Sequence, residues 1–236
     1  MIHSVTNQPH IEQHLRSSAF IADIVIGMSD GLTVPFALAA GLSGAVANSS
    51  LVVTAGIAEI VAGSIAMGLG GYLAGRTEVD HYESERRREM REVETVPERE
   101  KEEVRDVFAE MGLSPALQVV IADELAKDKT KWVDFMMKYE LGLDEPDPKR
   151  ATKSAVTIGL SYVVGGLVPL SPYFILDHPP VALLYSCGIT LLCLFVFGYF
   201  KSRVTGQPPV SGSFKVMLIG ALAAAAAFGI AHFVNI

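Results

Sequence analysis

TAGIAEIVAGSIAMGLGGYLAG, residues 54 to 75, runs straight into RTEVDHYESERRREMREVETVP, residues 76 to 97. The first half holds one charged side chain, Glu59, the second holds twelve Arg, Asp and Glu, and no proline interrupts either before Pro97. About 20 apolar residues in helical form cross roughly 30 Å of hydrocarbon. The charged continuation belongs in water. A single stretch therefore leaves a membrane and enters an aqueous compartment, and this fixes how the rest of the chain is read.

Outward from that junction, the 236 residues are 50% hydrophobic yet 19% charged, two figures that agree only if the charge is segregated. Five windows are apolar enough to span: about 20 to 42, 51 to 75, 154 to 176, 180 to 200 and 213 to 235. No sixth window qualifies. The expected fold is all-α, a polytopic membrane protein with five transmembrane helices and a cytosolic helical subdomain between spans two and three. The expected divisions are a cytosolic N-terminal segment 1–18, spans one and two in 19–76, the insert 77–150, and spans three to five in 151–236. The polar start, MIHSVTNQPHIEQHLRSS, has no apolar core or cleavage site, so the first span is expected to act as the targeting signal.

Lys and Arg favour cytosolic loops. With a cytosolic N-terminus, all 19 basic residues fall on or beside the cytosolic face, and the opposite loops SGAVANSS and LDHPP and the tail FVNI carry none. Five spans then leave the C-terminus on the far side. Cys187 and Cys193 sit six residues apart in the fourth span, off a common face, and read as small packing residues.

Residues 76 to 150 hold 14 basic and 21 acidic side chains, so their surplus equals the formal net charge of −7 for the whole chain. Nothing here suggests a nucleic-acid partner. A first helix is expected to continue from span two and stop before Pro97. A second starts at Pro97 and ends near Gly112, and Ser114 and Pro115 open a third with an apolar stripe of Leu117, Val120, Ile121 and Leu125. A fourth, DKTKWVDFMMKYELGL, ends at Gly142, and EPDPKR leads into span three. Val104, Val107, Phe108, Leu117, Trp132, Phe135 and Leu141 are the candidate core, small for an independent domain.

On these helices carboxylates recur on shared faces: Glu85, Glu89 and Glu92 on the first, Glu100 and Glu103 on the second, Met136 and Glu140 on the last. Like charges so spaced repel, and two readings account for them. Arg86, Arg87, Arg88 and Arg91 can offset the charge through salt bridges, or the carboxylates can converge on a divalent cation, which prefers hard oxygen ligands.

Ionisable groups inside a span are costly and mark functional positions. Asp23 lies near the cytosolic end of span one and is expected to reach the interface. Asp30 lies deeper, beside Gly31 and five residues before Pro35, where a kinked helix would free carbonyl groups. Glu59 is mid-span in span two, and Met67 follows eight residues later. Met67 is either packing or a thioether ligand, and sulfur beside oxygen favours a transition metal such as Fe²⁺ over Mg²⁺ or Ca²⁺. Glu59 either carries protons or hydrogen-bonds Tyr162 of span three.

DGLTVPFALAAGLSGA in span one, TAGIAEIVAGSIAMGLGGYLA in span two, WVDFMMKYELGLDEPDPKRA at the insert's end and SYVVGGLVPLSPY in span three resemble the vacuolar iron transporter family, plant type. The resemblance covers the chain after about residue 18. It implies a homodimer in the vacuolar membrane that moves Fe²⁺, and in some members Mn²⁺, out of the cytosol in exchange for protons. Asp30 and Met67 match the family's path between protomers, and Glu89, Glu92, Glu100, Glu103, Met136 and Glu140 match its cytosolic metal site. Fe²⁺ is then substrate rather than resident cofactor, with Mn²⁺, Co²⁺, Ni²⁺ and Zn²⁺ able to use the same ligands. The expected partners are a second copy, membrane lipid, divalent metal and protons. A membrane-anchored metal sensor or scaffold is the alternative; H-E-x-x-H, P-loop and dinucleotide motifs are absent, so no enzyme is expected.

Overall fold

The computed structural model describes residues 14–234. Among them there are helices and no strand, and five helices are long and apolar enough to cross a membrane. These are α1 (His14–Ser43), α2 (Ser49–Thr95), α6 (Arg150–Leu170, extended by a 3₁₀ turn Ser171–Phe174), α7 (Pro179–Val204) and α8 (Pro209–Val234). Between α2 and α6 stand α3 (Pro97–Glu110), α4 (Pro115–Leu125) and α5 (Lys129–Phe135), the last continued by a π turn, Met136–Glu140. Contacts divide the chain into a unit up to Tyr72 and from Thr152 onward, and a second from Leu73 to Ala151.

In the first unit the helices meet through small residues, which lets backbones approach closely where apolar collapse has no driving force. A Cβ on Gly31 would stand 2.4 Å from the Tyr162 carbonyl oxygen, and one on Gly27 2.3 Å from that of Ile158, so α1 and α6 touch backbone to backbone. Along α7 a ridge of Ala182, Ser186, Thr190, Leu194, Gly198 and Ser202, each four residues from the last, is buried. Ala39, Val52, Ile60, Leu170, Tyr173 and Ala182 form one core cluster. Outward-facing Leu184, Leu192, Ile219, Leu222 and Ile230 are each more than 60% exposed, an apolar surface suited to acyl chains and not to water. α1 runs on through Pro35 as one helix. Asp23 differs from expectation. It is 4% exposed and accepts a hydrogen bond from the Ser154 hydroxyl at 3.0 Å, because α6 lies over the position and offers a donor that substitutes for water.

The second unit forms around Val93, Val104, Ala122, Trp132, Val133, Met136 and Met137, with Phe108, Phe135 and Leu141 packed against them. Pro97 opens α3, Gly112 at φ +84° ends it, and the Asp128 carboxylate caps α5 by accepting from the amides of Thr130 and Lys131. Leu117, expected in the core, is 53% exposed, and Val120 is 63% exposed. The cause is rotation of α4: it turns Gln118, Ala122 and Leu125 inward, one helical face, because Gln118 donates to the Leu113 carbonyl at 2.7 Å and fixes the helix start. In the π turn the Leu141 amide donates to the Met136 carbonyl at 3.1 Å, a five-residue step, before Gly142 at φ +64° closes the element.

Candidate functional site

Within the second unit, Arg88, Glu89 and Glu92 of α2, Arg99, Glu100 and Glu103 of α3 and Glu140 of the π turn line a cavity of about 320 Å³. Glu89 and Glu92 are three apart on α2, and Glu100 and Glu103 repeat that spacing on α3, so each helix presents a carboxylate pair. Only Val96, with a non-helical backbone, separates the end of α2 from Pro97 at the start of α3, and this short turn folds the second pair back onto the first.

Ligand oxygens of Glu89, Glu92 and Glu100 lie within 4.8 Å of one another. Glu89 is 1% exposed and Glu100 2%, and the Oε2 atom of each has no hydrogen-bond partner. A buried carboxylate oxygen without a partner is costly. Burial raises the Glu100 carboxyl to about 7, with Glu103, Glu89 and Glu92 adding like-charge repulsion. Glu140 is likewise raised to about 7 by burial and by Glu103 and Glu89, and burial also raises Glu89 despite its bond to Arg88. Carboxyls raised in this way are suited to exchanging protons for a divalent ion.

The third expected feature, Met136, lies elsewhere. It is fully buried in the apolar core beside Trp132 and Met137 and is not in the cavity lining, although Glu140 at the other end of the same π turn is.

In the first unit, Asp30 on α1 and Met67 and Glu59 on α2 are each half-buried. Tyr162 on α6 donates its hydroxyl to Glu59 Oε1, while Glu59 Oε2 is buried without a partner. Tyr162 is itself 2% exposed and is seated against two glycines, its carbonyl on Gly31 and its ring on Gly63. The phenol is thereby held against Glu59 next to the turn of α1 that carries Asp30.

The sequence model of the VIT family matches residues 21–232. This chain belongs to the VIT family. It is 53% identical over 228 residues to Vacuolar iron transporter 1 of Tulipa gesneriana, a match covering 97% of this chain and 92% of that protein. Vacuolar iron transporter 1 of Arabidopsis thaliana is 52% identical over 226 residues, 96% of this chain and 90% of the relative. Protein CCC1 of Saccharomyces cerevisiae is 40% identical over 216 residues, 88% of this chain and 67% of its own length. The two plant VIT-family relatives bear the names of transporters, not of enzymes.

Sequence spacing brought out the acidic lining of this VIT-family chain and offered Arg88 as a salt-bridge partner for it, but not Arg99. Arg88 and Arg99 belong to the cavity wall. Arg88 reaches Glu85 at 2.7 Å, Glu89 at 3.1 Å and Glu92 at 3.4 Å, and Arg99 reaches Glu103 at 3.2 Å. Helical spacing, i,i+3 for Arg88 with Glu85 and i,i+4 for Arg88 with Glu92 and Arg99 with Glu103, was the available signal. It does not separate an arginine on a solvated face from one turned into a cavity.

Proposed function

We propose that this protein carries Fe²⁺ from the cytosol into the vacuole, and that it does so in exchange for protons. The observation that carries the reading is the convergence of Glu89, Glu92 and Glu100, two of them buried with an unpartnered oxygen, in a chain about half identical to named vacuolar iron transporters. Hard oxygens gathered this closely attract divalent ions and raise their local concentration. Glu103 and Glu140 complete the collecting site, and Met136 supplies a sulfur if the π turn reorients it. Mn²⁺, Co²⁺, Ni²⁺ and Zn²⁺ fit the same donors.

From there the ion passes to Asp30 and Met67 within the membrane, contributed by two copies of the chain around a shared path. Protons and metal compete for the same carboxylates, so an acidic lumen protonates Asp30 and releases the ion, which gives exchange without a second route. The basic residues give the sidedness: N-terminus and insert in the cytosol, C-terminus in the lumen. Replacing Asp30 with Ala is expected to abolish Fe²⁺ uptake into proteoliposomes with an acidic interior. Unchanged uptake removes Asp30 from the path, and a protein that binds metal yet never moves it is a sensor.

A further inference from the structure

We propose that Arg88 is the resident cation of the carboxylate cavity, a guanidinium that holds the metal-binding oxygens until a divalent ion displaces it. The inference rests on reading the cavity as a metal site. Arg88 touches two of the cavity's carboxylates and a third, Glu85, outside its lining: Nη1 lies 2.7 Å from Glu85 Oε2, Nη2 3.1 Å from Glu89 Oε1 and Nε 3.4 Å from Glu92 Oε2. All three carboxylates stand on the same helix as Arg88, at steps of three, one and four residues, so the arrangement needs no help from α3.

The fit is incomplete. Arg88 Nε is buried yet makes no well-aligned hydrogen bond, and Oε2 of Glu89 and of Glu100 are buried and empty-handed. A planar fork satisfies a flat pair of oxygens. It does not satisfy three carboxylates that converge from two helices, which a spherical ion coordinates from any direction. Arg99, the other arginine of the wall, differs: its side chain is 75% exposed and it pairs with Glu103 toward solvent.

Glu89 Oε1 and Glu92 Oε2 are the contacts of Arg88 and are also oxygens a metal at this site needs. A guanidinium and a divalent ion cannot share them at close range, because both are positive and the carboxylates offer limited room. Arg88 already has 43% of its side chain in solvent, so it can swing outward without opening the fold. While it remains inside, it relieves repulsion among the acids. When it leaves, the energy of its ion pairs is subtracted from that of metal binding. Affinity is thereby held down, which suits a site that must hand its ion onward.

The test uses the full chain in detergent, titrated with Mn²⁺ or Co²⁺ in competition with a chromophoric chelator near pH 7.5. Arg88→Gln is expected to bind about tenfold more tightly, the equivalent of losing two partly exposed ion pairs that metal no longer has to break. Arg88→Lys, which keeps the charge, is expected to fall between. Trp132 emission reports whether each variant retains the folded insert. A structure of the unmodified protein with Mn²⁺ bound is expected to show Arg88 withdrawn from Glu89. Equal or weaker binding by a folded Arg88→Gln, or an Arg88–Glu89 pair that persists beside bound metal, overturns the proposal and leaves the metal site standing. Absence of binding by the unmodified protein overturns the metal-site reading itself, and this inference with it.

Discussion

Replacing Glu100 with Gln separates the two effects of a buried carboxylate, destabilising the empty fold and binding a cation. Burial, then repulsion from Glu103, Glu89 and Glu92, raises its carboxyl from 4.5 to about 7. Each pKa unit corresponds to about 1.4 kcal/mol. Ionised Glu100 thus costs the folded insert on the order of 3 kcal/mol above pH 7. Because the folded value is the higher one, the folded chain holds the extra proton between about pH 4.5 and 7, and stability rises as pH falls through that window. Gln removes the charge but buries an amide, which takes back about 1 kcal/mol. The expected net gain is about 2 kcal/mol at pH 8, shrinking toward zero near pH 5. Trp132 is the chain's single tryptophan, 2% exposed in the core of this unit, so its emission during a urea titration of chelator-treated full-length protein reads this unit. A lower midpoint for the variant at pH 8, or an unmodified protein that loses stability between pH 8 and 6, refutes the reasoning. With metal at a hundredfold excess over its dissociation constant, the unmodified protein gains about 2.7 kcal/mol, a gain the variant largely lacks, and the ranking reverses.

Metal binding to the unmodified protein is expected to weaken as pH falls through 7, since Glu100 and Glu140 then take up protons, and titrations at pH 8 and 6 measure this. Met136→Leu keeps the core volume and is expected to leave the Trp132 unfolding curve within about 1.5 kcal/mol while weakening Co²⁺ binding; unchanged binding excludes the sulfur as a ligand. Glu59→Gln retains an acceptor for the Tyr162 hydroxyl but not a titratable proton. It is expected to uncouple proton counter-flow from metal uptake, read with a pH-sensitive dye in proteoliposomes, and full coupling would assign Glu59 to holding the bundle.

Much of the architecture was legible because the signals are long. Twenty apolar residues in a row admit few readings, and Pro97, Gly112 and Gly142 punctuate the insert where the helices do end. Short, weakly patterned α4 was not legible in the same way. Its Leu117 and Val120 look like a core face, yet an 11-residue helix with apolar residues all round has no dominant face, and the Gln118 bond decides which side turns in. At the site, spacing put Glu89 with Glu92 and Glu100 with Glu103. It could not show that one member of each pair is nearly sealed from water, because burial of a carboxylate depends on the helix that covers it. Asp23 illustrates the same limit: a partner 131 residues away, Ser154, decides that it stays inside.

The π turn at Met136–Glu140 bears on how such a site can arise. A helix that passes five residues between hydrogen-bonded groups where four would serve carries one residue too many, and everything beyond it is rotated by about 100° relative to a regular helix. Deleting that surplus residue would give a more regular helix, with Glu140 turned away from Glu100 and Glu103. The local cost of the irregular turn is thus exchanged for the direction in which a single carboxylate points.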